Sequence, residues 1–139
     1  STCTEYPRVD LDTLLQTCDI VSLHCPLTDK TRNLINKTAF EKMKPTAILI
    51  NVARGPIVNT QDLYNALITE KIMAAGLDVL EKEPMEPSNP LSQIQDSTKL
   101  IITPHMSWAS VESRTRLISE IVKNIQAFLD KTDRNIVNP

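Results

Sequence analysis

Ala47-Ile48-Leu49-Ile50-Asn51-Val52-Ala53-Arg54-Gly55 runs from aliphatic, partly β-branched side chains into an arginine and one of only two glycines in the chain. Such a run predicts a strand buried on both faces, as in the interior of a parallel sheet. Arg54 then stands at the carboxyl end, where open α/β sheets bind ligands in the crevice beyond their strands. A guanidinium stays charged and presents a planar fork matched to a carboxylate. An exposed arginine that happens to follow a strand is the competing reading, and the rest of the chain bears on it.

Outward from that stretch, strand and helix signals alternate. Asp10 is placed to cap a short helix reaching about Thr17. Residues 20–24 read as a short apolar strand stopped by Cys25-Pro26. Thr38 with Glu41 fits a capping box and predicts a brief helix ending before Pro45. Asn59 opens a helix with Leu63, Ala66 and Leu67 on one face. Residues 72–79 form a third strand, and residues 100–103 a fourth, stopped by Pro104. Between them residues 80–96 make a long loop carrying Pro84, Pro87 and Pro90; such loops are functional or disordered. Ser110 caps a last helix whose apolar residues Val111, Leu117, Ile118, Ile121, Val122, Ile125, Phe128 and Leu129 recur at the helical period. Alternation of this kind predicts parallel pairing, right-handed crossovers and part of a doubly wound α/β sheet. Its first strand has no earlier strand in this chain to lie beside.

The 139 residues suit one domain, and 41% hydrophobic with 23% charged residues suits a globular protein with a real core. A net charge of −2, spread along the chain, points away from nucleic acid and anionic membranes. No segment predicts a membrane span, and the first residues do not read as a signal peptide. Cys3, Cys18 and Cys25 form no CxxC and leave an odd one over, which suggests a reduced, cytoplasmic setting. Two glycines are far below the ~7% of average usage. Gly55 and Gly76 are too far apart to form a glycine-rich phosphate loop, so the chain cannot by itself cradle a pyrophosphate in the usual way.

Three polar residues follow successive strands: Arg54, Glu83 in the loop after the third, and His105 after the fourth. Parallel strands bring such points to one edge of a sheet. Histidine, with a reference pKa near ~6.5, gives and takes protons at neutral pH. A carboxylate on its other ring nitrogen orients the ring and favours the charged form. With an arginine to hold an anion, the set suits proton transfer to a carbonyl oxygen coupled to attack on its carbon. Taken singly each has an ordinary reading: a loop histidine, one acid among several, a surface charge. Asp78 at the end of the third strand either meets a ligand or caps a turn. No metal site is expected: His24 and Cys25 lack spaced partners, and His24 reads as a core histidine at a strand end.

The series His24-Cys25-Pro26-Leu27-Thr28, Thr31-Arg32-Asn33-Leu34-Ile35, Leu49 to Gly55, Gly76-Leu77-Asp78-Val79, Glu83-Pro84 and Thr103-Pro104-His105 resembles the D-isomer-specific 2-hydroxyacid dehydrogenases, in family order and spacing. The resemblance implies a nicotinamide dinucleotide cofactor, NAD or NADP, and reduction of a 2-oxo acid by hydride transfer. It implies Arg54 on the substrate carboxylate and carbonyl, His105 as proton donor and acceptor, and Glu83 paired with His105. It also implies cofactor contacts from Cys25, Pro26, Leu27, Thr31, Val52, Ala53, Arg54, Asp78, His105 and Trp108. The segment around Trp108 most resembles the glycerate dehydrogenase (hydroxypyruvate reductase) branch, although Trp108 also reads as a packing residue.

Members of that family are considerably longer. By this resemblance residues 1–110 are a partial NAD(P)-binding Rossmann domain, the second half of the sheet, without its Gly-rich loop. Residues 111–139 are then a C-terminal helix and tail that pack on a substrate domain, and Asn135-Ile136-Val137-Asn138 looks like the family's natural ending. The expectations are a fragment with little turnover alone, an exposed first strand that invites self-association, and a homodimer. The alternative is a dinucleotide-responsive interaction module, as in co-repressors related to this family.

Overall fold

The computed structural model describes residues 6–137; Cys3 and Asn138 lie outside that range. Two compact units divide between His105 and Met106. In the first, strands β1 (Ile20–Leu23), β2 (Ile48–Asn51), β3 (Ala74–Leu77) and β4 (Leu100–Ile102) form one parallel sheet in the order β1-β2-β3-β4. Helix α1 (Leu11–Thr17) precedes β1, α2 (Lys37–Lys42) crosses from β1 to β2, and α3 (Thr60–Ile68) crosses from β2 to β3. The crossover from β3 to β4 carries only a 3₁₀ turn, Pro90–Gln93. This is the α/β, Rossmann-like architecture expected from the alternation, with β1 at a sheet edge.

Register explains the core. Val21, Leu49, Ala75 and Leu100 align in one row across the sheet, and Leu23, Asn51, Leu77 and Ile102 in the next row on the same face. Leu15, Phe40, Leu63, Leu67 and Leu91, from the three helices and the 3₁₀ turn, join those rows in a single buried cluster. The opposite face is open: Ile20 and Ile101 are 59% and 58% exposed, and Ile48 and Ile50 only partly covered. The expectation that β2 is buried on both faces is therefore corrected. Strands laid down in sequential order by right-handed crossovers keep their helices on one side of the sheet. His24 is corrected for the same reason. It shares the parity of Ile20 and Ser22, faces the open side, and lies exposed with Nε2 2.8 Å from Ser22 Oγ.

The strands are also shorter than the apolar runs. Ala47 and Ile72 are fully buried, yet their N–H groups close turns onto Lys44 and Ala66 instead of entering the ladder. The start of α2 differs too. Its cap is Asn36, whose Oδ1 accepts from Ala39 N–H at 3.2 Å, so Thr38 lies inside the helix and the Thr38–Glu41 box is unused. Asp10 and Asn59 cap α1 and α3 as their positions suggest.

The second unit contains α4 (Val111–Leu129), capped by Ser110, whose Oγ accepts from Ser113 N–H at 3.2 Å. None of its residues is buried. Among the described residues no helix is long and apolar enough to cross a membrane.

Candidate active site

Ladder bonds continue past the strand ends and align the carboxyl edge of the sheet. Asp78 N–H donates to Asn51 C=O at 2.9 Å, and Thr103 N–H to Leu77 C=O at 2.9 Å. Asn51, Asp78 and Thr103 are thereby stepped along one rim, and the residues after them are the ones that the sequence singled out.

Glu83 and His105 meet there. Glu83 Oε2 lies 2.9 Å from His105 Nδ1, while Oε1 accepts from Leu80 N–H at 2.8 Å. The Leu80 N–H, with a smaller contribution from His105, holds the Glu83 carboxyl below its ordinary range; the nearby Asp78 opposes this only weakly. A charged carboxylate can only accept, so Nδ1 is the nitrogen that donates to it. Nε2 is then the ring nitrogen not engaged by Glu83. The backbone of His105 sits in the left-handed region at φ 52°. For a residue with a Cβ such a conformation costs about 1–3 kcal/mol and persists only where neighbours enforce it. Here His105 N–H bonds Thr103 C=O at 3.0 Å across Pro104, and the ring is held by Glu83.

Beside the pair is a hollow of about 400 Å³ lined by Asp78, Leu80, Glu83, Pro84, Met85, Ile102, Thr103, Pro104 and His105. Asp78 is only 4% exposed and accepts from Thr103 Oγ1 at 2.5 Å. A buried carboxylate held by a hydroxyl in a mostly apolar hollow is suited to orienting a polar ligand group. Neither Thr103 nor Leu80 stood out as functional in the sequence. The signal available for Thr103 was a hydroxyl at the end of an apolar strand, and the Leu80 N–H carries none.

A second hollow, of about 570 Å³, is lined by His24, Cys25, Pro26, Leu27, Val52, Ala53 and Arg54. It joins the loop after β1 to the turn after β2, as adjacent parallel strands require. Thr31 does not line it. Its hydroxyl donates to Pro26 C=O at 2.7 Å and accepts from Thr28 N–H at 2.7 Å, which closes the loop. Arg54 is exposed, with Nη1 donating to Ala53 C=O at 2.6 Å. Trp108 belongs to the second unit, where it lines an apolar hollow with Val111, Arg114, Thr115, Leu117 and Ile118.

Residues 2–107 match the family model described as D-isomer specific 2-hydroxyacid dehydrogenase, NAD binding domain. A hydroxypyruvate reductase of Blautia hydrogenotrophica is 45% identical over 130 residues, covering 94% of this chain and 39% of that protein. A glycerate dehydrogenase of Methylorubrum extorquens is 43% identical over 129 residues, covering 93% of this chain and 41% of that protein. Among solved structures, an acyclic imino acid reductase in complex with NADPH and D-Arg superposes with a TM-score of 0.87 at 30% identity, over 99% of this chain and 43% of that one. The chain thus spans about two fifths of the length of these relatives. It belongs to the NAD-binding domain family of the D-isomer-specific 2-hydroxyacid dehydrogenases.

Proposed function

We propose that this chain carries the nicotinamide end and the proton donor of an NAD(P)-dependent oxidoreductase. The reaction is reduction of a 2-oxo acid, hydroxypyruvate or glyoxylate, to the D-2-hydroxy acid, glycerate or glycolate. The observation that carries the reading is the 2.9 Å contact of His105 Nδ1 with the Glu83 carboxylate beside a ligand-sized hollow.

The residues fit one half of the cofactor. Asp78, buried at a strand end, offers an acceptor to the carboxamide side of a nicotinamide, and Cys25, Pro26, Leu27, Val52 and Ala53 line a groove at the same rim. The pyrophosphate half has no counterpart, because Gly55 and Gly76 form no glycine-rich loop. When bound, the cofactor supplies hydride to the carbonyl carbon. Arg54 holds the substrate carboxylate and polarises the carbonyl. His105 delivers the proton from Nε2 to the oxygen as it gains charge, and Glu83 steadies the imidazolium through Nδ1. In the oxidative direction the proton returns to the same nitrogen.

In this reading residues 1–110 are the partial cofactor domain, with Thr31 closing the loop that lines the cofactor groove, and residues 111–139 pack on a substrate domain. A cytoplasmic setting accords with the free thiols of Cys18 and Cys25, and a homodimer with β1 standing at the edge of the sheet. The 139-residue chain alone is expected to oxidise no NADH with hydroxypyruvate, and measurable turnover would overturn that part. In a polypeptide joining this chain to a Gly-rich phosphate loop and a substrate domain, His105→Ala is expected to lower kcat about 10²–10⁴-fold. An unchanged kcat removes His105 as the proton donor.

A further inference from the structure

Asn51 is the one polar member of its row in the sheet, between Leu23 and Leu77, and only 1% of it is exposed. A buried amide needs partners for both ends. Asn51 finds both in a single turn. Its Oδ1 accepts from Ala53 N–H at 3.0 Å, and its Nδ2 donates to Arg54 C=O at 3.0 Å. The side chain therefore closes the turn from which Arg54 projects.

The next residue is fixed from the other side. A Cβ on Gly55 would overlap the Leu80 carbonyl and the Glu81 nitrogen, so this turn lies directly on the Leu80–Glu81 peptide. The N–H of Leu80 is the group that Glu83 Oε1 grips, and the other oxygen of Glu83 holds His105. Backbone contact and hydrogen bonds thus run without a break from Asn51 to the imidazole.

We propose that Asn51 is a positioning residue for Arg54, and that the Gly55–Leu80 contact sets the arginine's turn against the Glu83–His105 pair. This rests on Arg54 being the carboxylate anchor. Asn51 itself touches no substrate and acts only through the backbone that it ties.

The test titrates oxamate, a 2-oxo acid analogue, into the nitrogen-15-labelled chain, and follows the amide signals of Ala53, Arg54 and Gly55. Hydrogen exchange is read at Ala53 and Leu80. Asn51→Leu fills the same space without either bond. It is expected to weaken oxamate at least about tenfold, since small displacements of a positioned group cost that much or more, and to speed exchange at Ala53 while the β2 and β3 amides stay protected. Asn51→Asp, ionised at neutral pH, can still accept from Ala53 N–H but cannot donate to Arg54 C=O, so it is expected to weaken oxamate as Asn51→Leu does while Ala53 stays protected. It recovers towards the wild type, compared at equal pH, once its carboxyl is protonated and can again donate to Arg54 C=O. A space-filling role gives no such recovery.

Gly55→Ala is expected to speed exchange at Leu80; if it does not fold, the Asn51 variants decide alone. Oxamate binding and Ala53 protection unchanged in Asn51→Leu overturn the proposal. If the wild type itself ignores oxamate, Arg54 is no sufficient carboxylate anchor in this chain alone. The exchange data then decide separately: faster exchange at Ala53 in Asn51→Leu upholds the clamp, and unchanged exchange removes it.

Discussion

Helices α3 and α4 begin alike and end differently. Each has a polar cap, Asn59 or Ser110, bonded to a backbone N–H three residues on, and an acid in its first turn, Asp62 or Glu112. Caps and acids there satisfy free N–H groups and favour the helix dipole. Yet α3 buries Leu63, Ala66 and Leu67 within 9 residues, whereas α4 buries none of its 19. Periodicity states which face a helix can bury. Whether it does so depends on a layer to receive that face, which the sheet supplies to α3.

The contrast breaks most readily at the largest side chains. Leu63→Ala, at a fully buried position packed in the core, is expected to cost about 2–5 kcal/mol by transfer and cavity terms together. Ile121→Ala on α4, where 44% of the residue is exposed, should stay within about 0.5 kcal/mol. Denaturant unfolding of the 139-residue chain measures both. A large, concentration-dependent cost at Ile121 would reveal a second copy covering the stripe. Asn59→Ala comes next, at about 1 kcal/mol, because the cap it removes belongs to a helix built into the core.

Local chemistry was the legible part of this chain. The caps at Asp10, Asn59 and Ser110, the four strands and their parallel pairing depend on near neighbours and on alternation. The Glu83–His105 contact was legible because parallel strands leave few places for their following loops. What could not be read depends on strand order. An apolar run looks the same whether one or both faces are covered, so a doubly buried β2 and a core His24 stand or fall together, and register removes both. Asn51 and Thr103 acquire roles only through register, which sets Asn51 C=O against Asp78 N–H and Thr103 N–H against Leu77 C=O.

The cap of α2 was obscured differently, because two candidates lie two residues apart. Asn36→Ala is expected to cost about 1 kcal/mol and Thr38→Ala under about 0.5 kcal/mol, measured by the same unfolding experiment. The reverse order would return the cap to Thr38.

The smallest effect tests the site's electrostatics. Glu83 is held below its ordinary value of 4.5, chiefly by Leu80 N–H and then by His105. A carboxyl depressed in the folded chain adds stability that is fully present above its unfolded pKa and lost as pH falls through its folded one. The side chains of His105 and Glu83 are 45% and 37% exposed, so solvent screening keeps the contribution modest. Wild type and Glu83→Gln compared by urea unfolding should therefore differ at neutral pH and converge as pH drops below about 4.5. Asp10 and Asp96, also depressed, occur in both proteins and cancel from the difference. A gap that stays constant into acid would mean that the Glu83 bonds do not depend on its charge, and that the carboxylate is not what orients His105.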